Sequence, residues 1–157
     1  MASVLDQILD TVVTKIRALD LVGMPDASVK RLKCVLDRDF PTPGIGVAVL
    51  GAEEISETGP NQKDDVTYNI AVCIKVADNQ DQTANDDGEK QFLWRQRIRR
   101  RFSHQGGSEF AFTAITEACT CSVKPLDVID QANWTSFNLL TSSMVLRVQC
   151  REGRSYS

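Results

Sequence analysis

The sequence predicts one α+β domain, and three features of the chain predict it. Asp65 to Asp78 alternates strictly, with Val66, Tyr68, Ile70, Val72, Ile74 and Val76 on one side and Thr67, Asn69, Ala71, Cys73 and Lys75 on the other. A period of two built from β-branched and aromatic residues marks a strand with one buried face. Two stretches repeat their apolar residues at helical spacing instead, Ser3 to Leu19 and Glu89 to Phe102. Shorter strand-like runs, punctuated by Gly and Pro, fill much of the remainder. At 157 residues and 42% apolar composition, the chain can bury a single core without covalent staples. No repeat, low-complexity tract or linker divides it, so residues 1–157 read as one domain with its core over 3–151 and a polar tail at 152–157.

The first helix carries Leu5, Ile8, Leu9, Val12, Ile16 and Leu19 on its apolar stripe. Ser3 is placed to cap it, Asp6 to sit in its positive first turn, and Lys15 and Arg17 near its negative end, before Gly23 and Pro25 stop it. The polar face is not rich in lysine, which favours docking on the domain's own sheet over a membrane surface. Val29 to Asp37 predicts a half-exposed strand, with Leu32, Cys34 and Leu36 inward and Arg31, Lys33 and Val35 forming a basic outer side. After the Pro41-Thr42-Pro43-Gly44 turn, the apolar run Ile45 to Leu50 suits a buried strand. The glycines here (Gly44, Gly46, Gly51) have the wrong spacing for a dinucleotide loop, and no helix opens behind them. Glu53 to Lys63 reads as a polar loop.

The strand that follows is long. Its fourteen residues at about 3.3 Å each span about 46 Å, whereas strands usually have 5–6 residues. A domain of this size has a radius of gyration of about 15 Å, so the strand is expected to bend or to project with an unpaired edge that needs a partner. Beyond the second helix, Phe110, Phe112, Ala114 and Thr116 begin an alternating segment that continues through Cys121 and Val123 to Pro125. Leu126 to Leu140 lacks a clean period and predicts an irregular packed connection, and Ser143 to Arg151 predicts a closing strand.

The candidate functional residues flank and occupy the second helix. The loop before it holds Asp78, Asp81, Asp86 and Asp87, which fit no calcium-loop register and read as solvated, with Asp86 or Asp87 as N-cap. Within the helix, Trp94, Ile98 and Phe102 form the core stripe, and Arg95, Arg97, Arg99, Arg100 and Arg101 surround it. Favourable charge at a helix end is worth about 0.3–1 kcal/mol per residue and fades beyond the last turn. Five arginines in seven residues exceed that need, which leaves two readings open: a solvated face, or a surface for an acidic protein or nucleic acid.

The formal charge of −3 gives no reason to expect general nucleic-acid affinity, and no apolar run approaches the roughly 20 residues that cross a bilayer. The opening Met1-Ala2-Ser3-Val4-Leu5-Asp6 has no basic n-region, so no export is expected. The five cysteines (Cys34, Cys73, Cys119, Cys121, Cys150) are then expected to be reduced and buried. Cys119 and Cys121 share a strand face at a spacing unlike that of zinc or redox CxxC sites. The single histidine, His104, stands apart from any evident nucleophile, and no P-loop or carboxylate pair stands out. No catalytic, cofactor-binding or metal-ligating set is read, and the chain is expected not to be an enzyme.

Several local patterns occur together in one order. Phe40-Pro41-Thr42-Pro43-Gly44-Ile45-Gly46-Val47 follows the first helix, then Asp64-Asp65-Val66-Thr67-Tyr68 opens the long strand. Leu93-Trp94-Arg95-Gln96-Arg97-Ile98 lies on the second helix, and Val123-Lys124-Pro125, Trp134 and Val145-Leu146-Arg147-Val148 come late. In this order the chain resembles the neck and tail-completion proteins of tailed bacteriophages, most of all the tail terminators, over about residues 3–151. The resemblance implies helices packed on a mainly antiparallel sheet and a homohexameric ring around the DNA channel. It places the protein in the virion neck, assembled in the host cytoplasm, against the tail tube protein and the head–tail connector proteins. It brings no catalytic residues, cofactor or membrane contact. A head–tail connector, head-completion or minor tail protein is the alternative within that class. From another class stands a nucleic-acid-binding module using the Arg95–Arg101 helix, against which weigh the net acidity and the lack of an aromatic stacking platform.

Overall fold

The computed structural model describes residues 3–33, 43–57, 63–77, 86–103, 119–130, 132 and 139–153. Along them run α1 (Val4–Arg17), a 3₁₀ turn (Asp26–Ser28), β1 (Val29–Arg31), β2 (Gly44–Val49), β3 (Glu54–Glu57), β4 (Lys63–Ala77), α2 (Asp86–Phe102), β5 (Thr120–Pro125) and β6 (Leu139–Gly153). The strands form one mixed sheet in the order β1-β2-β4-β6-β5, with β3 also paired to β4. Only β1 and β2 run parallel, so the fold is α+β with a mainly antiparallel sheet.

The spine is β4 against β6, paired residue for residue from Lys63↔Gly153 to Ala77↔Leu139. On its other side β4 meets β2 over Ile70–Lys75 and β3 over Asp64–Thr67. The long strand is therefore central: β6 covers one edge throughout, and β2 and β3 cover most of the edge expected to be unpaired. Part of the segment read as a polar loop, Glu54–Glu57, supplies the missing backbone partners. Its sequence offers one apolar side chain, Ile55, and that one is 60% exposed, so backbone pairing rather than burial recruits it. β6 is also longer than expected at both ends, because β4 offers it partners throughout; Glu152, assigned to the tail, accepts a hydrogen bond from the Tyr68 hydroxyl at 2.6 Å.

Val66, Tyr68, Ile70, Val72, Ile74 and Val76 are all buried, as their period of two requires, and join one core with Ile45, Val47, Met144, Leu146 and Val148. α1 lies over β1 and β2, and α2 over β4, β5 and β6. Ile8, Leu9, Val12, Val13 and Ile16 of α1 and Trp94, Ile98 and Phe102 of α2 close that core from above. A fully buried side chain of this size contributes about 1.5–3 kcal/mol. The opposite face is not simply exposed: Ala71 and Cys73 are buried, in register with Ala48 and Gly46 on β2 and with Val145 and Ser143 on β6.

α1 starts as its sequence dictates. The Ser3 hydroxyl accepts from the Asp6 amide, and the Asp6 carboxylate accepts in return from the Ser3 amide and hydroxyl. The helix stops at Arg17, followed by Asp20 at φ 48° and Gly23 at φ 79°. β1 differs from its prediction: regular pairing ends at Arg31, and Cys34–Asp37 lie outside the described residues. Arg31 does not build a basic outer side; it turns to α1 and pairs with Asp6 and Asp10. That guanidinium adds to the Ser3 hydrogen bonds in lowering the Asp6 pKa to about 2.

Candidate interaction surface on the second helix

α2 is held to the sheet by its apolar stripe and by donors reaching backbone carbonyls on both flanks. Trp94 Nε1 donates to the Val22 carbonyl at 2.9 Å, and its ring lies beside Gly23, where a Cβ would make ordinary van der Waals contact with it at 3.7 Å. Gln91, wholly buried, donates Nε2 to the Leu140 carbonyl at 3.2 Å. These side chains share the helix face that presses on β4 and β6.

The five arginines divide. Arg95, expected on the outer surface, is only 8% exposed. Its Nη1 donates to the Ser142 hydroxyl and the Ser143 carbonyl, both at 2.7 Å, and to the Asp127 carbonyl at 3.3 Å; Nη2 donates to the Leu126 carbonyl at 2.7 Å. It fastens α2 to the segment leaving β5 and to β6, and burial, with Arg99 nearby, pulls its pKa below the ordinary value. Arg97 is half-buried and donates to the Leu19 carbonyl at 2.6 Å, close to the negative end of α1. Arg101 is half-buried as well. Arg99 and Arg100 are exposed.

Of the acidic candidates, only two fall among the described residues. Asp78 and Asp81 lie outside the described residues, while Asp86 and Asp87 form the first turn of α2. Asp86 opens the helix rather than preceding it as a cap. At 1.5 Å of rise per residue, Asp86 and Arg100 are about 21 Å apart along one axis, so the acidic start and basic end of α2 do not pair within one copy.

Sequence reasoning missed the other half of this surface. Phe92 and Leu93 point outward, 45% and 48% exposed, with Val128 opposite at 48%. Together with Arg95, Gln96 and Arg99 they line a groove of about 460 Å³. The signal was present, because two large apolar residues sit off the Trp94–Ile98–Phe102 stripe. Leu126 and Ile129 extend the exposed apolar surface along the segment after β5. Its described residues 126–130 are irregular, as expected, but mostly exposed rather than packed, and they are bonded to β6 through Leu126 N–Ser143 O and Ser143 N–Asp127 O, both 3.2 Å, and Asp130 N–Thr141 O at 2.9 Å.

A smaller hollow of about 300 Å³ lies on the opposite side of the sheet, lined by Leu50, Glu54, Asn69, Lys124, Leu126, Val145 and Arg147. Arg147 spans it to Glu54 at 2.7 Å. Among the described residues no three His, Cys, Asp or Glu side chains gather as a metal site would need, and no helix is long and apolar enough to cross a membrane. The groove on α2 offers an apolar wall beside exposed guanidinium groups, which suits an apolar side chain flanked by carboxylate. No protein-family model matches this chain, and no curated protein matches it.

Proposed function

We propose that this chain is a structural ring subunit of a tailed-phage virion, a tail terminator seated at the head-proximal end of the tail tube. The ordered patterns from Phe40 to Val148 lead to that family, and the α+β fold agrees with what the resemblance implies. The observation that carries a partner-binding role is the outward face of α2: Phe92, Leu93, Arg99 and Arg100 are exposed, while the fold is held by the other face. In the ring, the groove takes an apolar side chain from the adjacent copy or the tube, and Arg99 and Arg100 meet carboxylates beside it. Exposed arginines contribute tenths of a kcal/mol to folding, but charge pairs closed in an interface can be worth several when one partner is lost.

The test uses the purified chain and tail tubes assembled without it, imaged by negative stain. Wild type should form six-fold rings, alone or capping one tube end. The double variant Arg99→Gln, Arg100→Gln should remain folded and lose the caps. Absence of rings from wild type both in solution and on tubes would overturn the proposal. Wild-type affinity for duplex DNA with a steep salt dependence, flattened in the variant, would assign the arginines to DNA instead.

A further inference from the structure

Cys73, Cys119, Cys121 and Cys150 are all buried and free. Two of them face each other. Thr120 pairs with Gln149 at the start of β5, and one step further along this antiparallel ladder stand Cys119 and Cys150. Their sulfur atoms are 2.8 Å apart, and the two residues are 0% and 1% exposed. A disulfide needs a sulfur separation of about 2.05 Å and Cα atoms about 4.4–6.8 Å apart. Directly opposed residues of antiparallel strands have Cα separations of about 4.5–5.5 Å. Closing the pair therefore takes a sulfur movement of ~0.8 Å and no change of register.

We propose that Cys119 and Cys150 are a redox-active pair that closes to a cross-strand disulfide when the folded protein meets hydrogen peroxide, an oxidant small enough to reach buried thiols. Cys121 shares the strand face but lies opposite Val148, and Cys73 lies opposite Ser143, so neither has a cysteine across the ladder. Their mutual hydrogen bond favours the thiolate on one sulfur of the pair and the thiol on the other. With hydrogen peroxide, one sulfur of the pair, giving up its proton, attacks a peroxide oxygen; the O–O bond breaks, water leaves and a sulfenic acid forms. The other sulfur, giving up its proton, then attacks the sulfenic sulfur and expels a second water. Two protein thiols become one disulfide, and one peroxide becomes two waters. The bond fastens the start of β5 to β6, at the opposite end of β5 from the Arg95 contacts with Leu126 and Ser143.

The test treats the native full chain with hydrogen peroxide, quenches with acid, alkylates and maps peptides under non-reducing conditions. The expected result is a Cys119–Cys150 linked peptide, a mass lower by two hydrogens, and alkylation retained at Cys34, Cys73 and Cys121. Cys121→Ser should link as wild type does, and Cys150→Ser should give no linked peptide. A native wild type with no linked peptide, or with Cys121 in the link, would overturn the proposal.

Discussion

Arg95 gives the sharpest test of how α2 is built. Arg95→Met keeps the aliphatic stem and removes a buried guanidinium that makes three bonds of 2.7 Å and one of 3.3 Å. Hydrogen bonds to charged groups are worth about 1.5–3 kcal/mol each, but the four are not additive, and returning a buried cation to water offsets several kcal/mol. The Ser143 carbonyl keeps its bond from the Leu126 amide, and the exposed Leu126 and Asp127 carbonyls can turn to water. The Ser142 hydroxyl, wholly buried, loses a partner outright. The net expectation is a loss of about 2–4 kcal/mol. Arg99→Met, one turn along on the exposed side, should stay within about 0.5 kcal/mol of wild type. Urea denaturation at neutral pH reads both. Equal midpoints for the two variants would refute the inward assignment of Arg95.

Ile70→Lys puts a charge into a wholly buried site and should cost several kcal/mol, whereas Asn69→Lys, from the half-buried opposite face, should cost much less; thermal melts of the pair check it. Ser3→Ala removes the cap of α1 and should cost about 1 kcal/mol. Because the folded Asp6 carboxyl is lowered to about 2 from an ordinary 3.8, its contribution is present above the ordinary value and is lost as pH falls through the folded value. The difference in stability between wild type and Asp6→Asn should therefore shrink between about pH 4 and pH 2, and an unchanged difference across that window would contradict the Ser3–Asp6–Arg31 arrangement.

The parts of the fold legible in the sequence are those set by neighbours along the chain. The cap of α1 lies within four residues, and the buried face of β4 follows from its own period of two. Strand partners did not announce themselves: Lys63 pairs with Gly153, and β3 has a single apolar residue to betray it. Arg95 was misplaced because arginine is assumed to be exposed, while the carbonyls that hold it come from residues 126–127 and 142–143. A signal was nonetheless available. Gln91, Arg95, Ile98 and Phe102, all buried, repeat at intervals of four, three and four, the helical core spacing. Only the habit of excluding polar residues from that stripe hid it.

The same division would let α2 serve the proposed partner without weakening the domain. Its inward face uses Gln91, Trp94, Arg95 and Ile98 to satisfy and bury what the sheet and its connections present. Its outward face leaves Phe92, Leu93, Arg99 and Arg100 exposed. The charges follow the helix dipole, acidic at the start and basic at the end, which stabilises the isolated copy modestly. Because the two ends are about 21 Å apart on one rigid axis, they cannot neutralise each other. A second molecule with complementary charge can approach either end, and the apolar groove beside Arg99 gives that approach a place to bury surface. In the proposed ring, stability and association would rest on different residues of one helix, so substitutions can separate them: Arg95→Met should lower stability, while Arg99 and Arg100 variants should change assembly and leave the domain folded.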